Sequence, residues 1–182
     1  MKKAIYLFLA LILLGACGGP ETNVSYRTVE VKDQYSIKIP DYMNSTNQLN
    51  DEASLQYMNG FKEAYIIIID EPKDSFVQIY QTIDQYNDSI SISENYKNTQ
   101  LESFKTYVKD FNLYDENIVD FNEKPSYSYK VDGTVENIDI TYFFRFVEGK
   151  EDLYMIMGWT EQWRKPTYEN TFKQILSSFS EL

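Results

Sequence analysis

The 182 residues carry 28 acidic against 17 basic side chains, a formal charge of −11, with no histidine and a single cysteine. That balance excludes intramolecular disulfides and every imidazole-dependent catalytic or zinc arrangement, and it repels nucleic acid, whose phosphates are bound through Lys and Arg. The 43% apolar and 16% aromatic content is enough to build the packed core of one domain.

At the N-terminus, Met1-Lys2-Lys3 is a positive n-region, and Ala4 to Leu14 is an unbroken apolar run ending in small residues, the pattern of an export signal. A spanning helix needs about 20 apolar residues, so this run is too short to be kept as an anchor. Leu14-Gly15-Ala16-Cys17 resembles the lipobox of bacterial lipoproteins, which implies cleavage before Cys17 and a diacylglyceryl group on its thiol. The division expected is residues 1–16 as signal peptide, 17–25 as lipidated cysteine and tether, and 26–182 as one domain. Gly18 to Ser25 contains breakers and no hydrophobic period, which suits a tether. Acyl chains hold such a protein to the membrane, while its acidic charge keeps the domain itself off an anionic leaflet.

From Tyr26 the period is two. Val29 and Val31, then Tyr35, Ile37 and Ile39, alternate with polar residues around Asp33-Gln34 and predict a hairpin closed by Pro40. Ala53 to Asn59 and Ala64 to Ile69 read as two further strands with a turn at Asn59-Gly60. The run Tyr65 to Ile69 is apolar on both faces, which places it in the middle of a sheet. Asp70 to Lys73 breaks the pattern, and Asp74 then caps a helix carrying Phe76, Ile79, Tyr80 and Ile83. Ser91 and Glu94 have capping-box spacing before a second helix with Leu101, Phe104, Val108 and Phe111 on one face. Three strands follow: one in which Tyr127, Tyr129 and Val131 alternate with Ser126, Ser128 and Lys130, then Ile138 to Val147, then Leu153 to Trp159. Asp132-Gly133 and Glu148-Gly149-Lys150 are read as their turns. A final helix begins at Pro166 or Thr167, with a stripe of Tyr168, Phe172, Ile175, Leu176 and Phe179.

Tyr35-Ser36-Ile37-Lys38-Ile39-Pro40, Lys124-Pro125-Ser126-Tyr127, and the strand, hairpin, strand, helix run from Ile140 to Ile175-Leu176-Ser177-Ser178-Phe179 resemble the PsbP-like family, which has small bacterial lipoproteins among its members. The resemblance implies an α+β fold, an antiparallel sheet flanked by helices on both faces in an α/β/α sandwich. It carries patterns of size and polarity, not catalytic residues, so it speaks to fold.

Acidic residues gather at Asp70, Glu71 and Asp74, at Asp115, Glu116, Asp120 and Glu123, and at Asp132, Glu136 and Asp139. None fits a calcium loop, and the glycines build neither a nucleophile elbow nor a phosphate loop, so no catalytic residue, metal or cofactor is assigned. The aromatics Tyr127, Tyr129, Tyr142, Phe143, Phe144 and Phe146 are read as core. Trp159 to Lys165 joins both tryptophans to a basic pair where a strand hands over to a helix. Trp163 and Arg164 are the candidate residues for binding a protein partner, the competing role for Trp163 being a buried lid on the helix start. The function expected is a non-enzymatic binding or accessory module, anchored in the bacterial cell envelope by lipid at Cys17. The alternative is a small-ligand binder or hydrolase using carboxylates and tyrosines in a pocket.

Overall fold

The computed structural model describes residues 19–31 and 33–182; Cys17, the export signal and Lys32 lie outside the described residues. Among the described residues the order is β1 (Tyr26–Val31), β2 (Tyr35–Pro40), β3 (Asn44–Ser45), β4 (Leu55–Asn59), β5 (Ala64–Pro72), α1 (Lys73–Thr82), α2 (Ile92–Lys105), β6 (Lys109–Phe121), β7 (Lys124–Val135), β8 (Ile138–Glu148), β9 (Asp152–Glu161), a 3-10 turn (Gln162–Arg164), α3 (Lys165–Ser177) and β10 (Ser180–Glu181). The strands form two antiparallel sheets: a small one ordered β1-β2-β10 and a large one ordered β3-β4-β5-β9-β8-β7-β6.

Alternation along the central strands divides their side chains between two apolar clusters. On β8, Phe143 and Val147 join Tyr168, Phe172, Ile175 and Leu176 of α3 and Tyr35, Ile37 and Ile39 of the small sheet. Their neighbours Tyr142, Phe144 and Phe146 join Phe76 of α1 and Tyr96 and Leu101 of α2. Ile66, Ile67 and Ile68 of β5 are all buried, because this strand lies between β4 and β9. The six aromatics expected in the core are there, none more than 7% exposed. The molecule is thus an α+β fold with large antiparallel sheets and three helices among the described residues.

Several local expectations are corrected. Asp70, Glu71 and Pro72 do not break the sheet; they extend β5, opposite Tyr154, Leu153 and Asp152. The residue before α1 is Pro72, and Asp74 lies in the first turn, where its charge suits the helix dipole without capping. At α2, Ser91 does cap, its Oγ accepting the Glu94 N–H at 3.1 Å, but the helix ends at Lys105, so Val108 and Phe111 lie beyond it. Phe111 belongs to β6, a strand the sequence pattern hides. Two register shifts, between Lys109 and Asn112 and between Tyr114 and Asn117, reset its alternation, with Asp110 and Asp115 at positive φ. Those bulges and the acidic residues also guard an edge strand against pairing with other chains.

Asp132-Gly133 is not a turn. Both lie inside β7, and the hairpin turns at Glu136-Asn137, whose φ values of 52° and 67° are those of a two-residue type I′ loop. Gly133 is required for close approach: a Cβ there would fall 2.2 Å from Cγ1 of Val108.

Candidate functional site

Two features stand out on this scaffold, one convex and one concave. The convex one follows β9. Period-two alternation holds Trp159 on the strand, half-buried and stacked on Tyr65 with ring centroids 5.2 Å apart and planes 12° from parallel. The chain then leaves the sheet through the 3-10 turn, because Pro166 lacks the N–H a strand would need and favours the first turn of α3. This connection turns Trp163 outward. Its side chain is 70% exposed, so it is not a lid over α3. The indole Nε1 donates to Glu161 Oε2 at 2.7 Å, Arg164 Nε donates to the same oxygen at 3.1 Å, and the guanidinium lies 4.3 Å from the indole centroid. The carboxylate and the cation therefore favour one orientation of the exposed ring. Trp163 and Ile138, 48% exposed, flank a hollow of about 320 Å³ that also touches Asp139.

The concave feature lies beside α3. On β7 the side chains facing α3 are Ser126, Ser128 and Lys130, since Tyr127, Tyr129 and Val131 take the opposite face. Ser128 leaves the sheet shallow there, and a cavity of about 470 Å³ opens between β6, β7, β8 and the C-terminal half of α3. Arg145, in the middle of β8 and only 6% exposed, lines it. Its Nε donates to Ser126 Oγ at 2.9 Å and its Nη1 to the Leu176 carbonyl at 2.6 Å. Burial pulls the guanidinium below its ordinary pKa. Sequence reasoning missed this residue. The available signal was a lone arginine inside the aromatic string Tyr142-Phe143-Phe144-Arg145-Phe146.

Several members of the acidic clusters tie strands and helices together. Asp115 pairs with Lys130 at 2.5 Å, Glu116 accepts the Tyr129 hydroxyl, and Asp132 accepts the hydroxyls of Tyr114 at 2.9 Å and Thr141 at 2.5 Å. Glu71 accepts Gln100 Nε2 at 2.9 Å. Among the described residues no group of three or more Asp, Glu, Cys or His could hold a metal ion.

Lys130 is buried, which alone would lower its pKa, but hydrogen bonds to Asp115 and Glu169 outweigh that and raise it. Glu169 also takes Lys173 at 2.8 Å. Hydrogen bonds from Lys130 and then Lys173 pull the Glu169 carboxyl down to about 2. A carboxyl depressed in the folded state stabilises fully above its ordinary value of about 4.3, and the benefit is lost as the pH falls toward about 2. Glu169→Gln is therefore expected to cost about 1–2 kcal/mol at pH 7 and progressively less below pH 4, Asp115 keeping a smaller acid response of its own. Urea midpoints at pH 7 and pH 3 check this, and a loss of equal size at both would refute it.

No family model and no curated protein sequence matches the chain. Solved structures do. Cyanobacterial PsbP (CyanoP) from Synechocystis sp. PCC 6803 is similar at a TM-score of 0.59 and 13% identity, over 93% of this chain and 99% of that one. The Ran-binding protein Mog1p of Saccharomyces cerevisiae is similar at a TM-score of 0.57 and 8% identity, over 87% and 96%. The fold is PsbP-like, and at these identities the likeness concerns fold alone.

Proposed function

We propose that this chain is a non-enzymatic binding module of the bacterial envelope, lipid-anchored at Cys17, that meets a protein partner through Trp163 and Arg164. The observation that carries the reading is the 70% exposure of Trp163 combined with its favoured orientation between Glu161 and Arg164. An exposed indole already ordered loses little freedom on binding, and Trp and Arg concentrate binding energy at interfaces. The reading takes residues 26–182 as one domain with helices on both faces of the large sheet, supported by the division of alternate strand residues between two clusters.

Anchoring gains support from the sequence before the domain and from the way the chain enters it. Among the described residues no helix is long and apolar enough to cross a membrane. Glu21 is already docked: its N–H donates to the Thr167 carbonyl at 2.9 Å, and its carboxylate takes Lys62 at 2.7 Å, the Tyr42 hydroxyl at 2.9 Å and the Thr171 hydroxyl at 3.1 Å. A lipid at Cys17 then has only the stretch to Glu21 as its leash, about 14 Å at full extension. Phe61, 99% exposed, precedes Lys62, the cation that pairs with Glu21.

Metabolic labelling with a fatty acid tests the anchor. The wild-type protein is expected to be labelled and membrane-bound and Cys17→Ser unlabelled, since two or more acyl chains give stable attachment at about 0.8 kcal/mol per buried CH₂. An unlabelled wild-type protein in the soluble fraction would overturn the anchor. Co-purification from detergent-solubilised membranes tests the partner surface: a partner retained equally by the wild type and the Trp163→Ala, Arg164→Ala double variant would overturn it.

A further inference from the structure

Arg145 is a buried cation. Its two bonded nitrogens reach a serine hydroxyl and a backbone carbonyl, and its guanidinium carbon lies 5.4 Å from the Phe121 ring centroid. Among the described residues no carboxylate forms an ion pair with it. The neighbouring cations are different: Lys130 has Asp115 and Glu169, and Lys173 has Glu169. The Leu176 carbonyl, in the last turn of α3, brings only the partial negative charge of a helix C-terminus. Buried arginines are ordinarily paired, because a desolvated charge left without a counter-charge opposes folding.

The cavity beside Arg145 has room for the missing anion. At about 470 Å³ it falls within the range of about 300–1,000 Å³ typical of small-molecule sites. Its walls include Val119, Phe143 and Leu176, which offer an apolar body nothing but dispersion and burial. Of its other charged lining residues, Lys130 pairs with Asp115 and Glu169, and Lys173 pairs with Glu169.

We propose that this cavity binds a small organic carboxylate, its head paired with Arg145 and its apolar body lying against Val119, Phe143 and Leu176. A planar carboxylate matches the guanidinium fork, and one negative charge balances one unpaired arginine. A phosphate dianion would need a second free cation, and Lys130 and Lys173 are already engaged. The site is independent of the Trp163 surface and stands or falls separately from it.

The test uses 4-fluorobenzoate and its near-isosteric neutral analogue 4-fluorobenzamide, followed by ¹⁹F line broadening with the full chain in detergent. The wild type is expected to bind the benzoate at least tenfold more tightly than the benzamide. Arg145→Met is expected to remove that preference. Val119→Trp, which fills the cavity from a half-exposed position on β6, is expected to abolish binding of both, and it carries the test alone if Arg145→Met does not fold. The proposal is overturned if the wild type fails to distinguish benzoate from benzamide, whether both bind or neither does. It is equally overturned if Arg145→Met keeps the preference or Val119→Trp still binds the benzoate. Inorganic phosphate displacing the benzoate at equal concentration would overturn the assignment of a carboxylate ligand with an apolar body.

Discussion

Replacing Phe172 with alanine is expected to lower the unfolding free energy by about 3–5 kcal/mol, a large part of the roughly 5–15 kcal/mol that holds a domain together. The ring is 1% exposed and stacks on Phe143 with centroids 4.8 Å apart and planes 19° from parallel. It also lies directly on the backbone of β9, since a Cβ built at Gly158 would come within 2.5 Å of its Cδ1. A cavity opened there has a hydrogen-bonded strand for a floor, and β9 is paired on both sides, to β5 and β8. Such a floor does not rise to fill a void, so the upper part of the range applies. Asn170→Ala, on the exposed side of the same helix, is expected to change stability by no more than about 0.5 kcal/mol. Urea denaturation of the two variants distinguishes the faces of α3, and equal midpoints would mean that the helix does not pack as described.

The sequence revealed the parts of this fold in which one periodicity runs unbroken. The α3 stripe from Tyr168 to Leu176, the β1-β2 hairpin and the doubly buried isoleucines of β5 each repeat at the spacing of their element and lie where that spacing requires, whereas Phe179 is buried beyond the end of α3 at Ser177. It concealed β6 because two bulges shift the side-chain alternation twice in thirteen residues, leaving an acidic string with no single period. Gly133 misled for a different reason: a glycine after an aspartate is a turn signal, yet here it makes room for Val108. Which face of β7 is wet is also invisible in the string. Ser126, Ser128 and Lys130 have the composition of a solvent face, but Ser126 is fully buried beside Arg145, and Lys130 is only 8% exposed. Ser128 lines the cavity and Ser126 holds Arg145 beside it, and that becomes visible only when α3 is laid over them.

Trp163 was legible as a candidate but not as a surface. The string Trp159 to Lys165 shows two tryptophans and a basic pair; whether the second ring covers the helix or leaves it depends on a single 3-10 turn. Because that turn exposes the ring, Trp163→Ala removes mainly one exposed cation–π contact and one hydrogen bond to Glu161, and is expected to move the stability by only about 0.5–1 kcal/mol. Binding has more to lose. An anchoring tryptophan at the centre of an interface is worth about 2 kcal/mol or more, which is roughly thirtyfold in affinity. The decisive measurement therefore pairs two readings on the wild type and Trp163→Ala: the urea midpoint, and the concentration dependence of partner capture from detergent-solubilised membranes. Nearly coincident midpoints are expected, with capture weakened about thirtyfold. Undiminished capture by Trp163→Ala, or a loss of capture that only tracks a loss of stability, would contradict it.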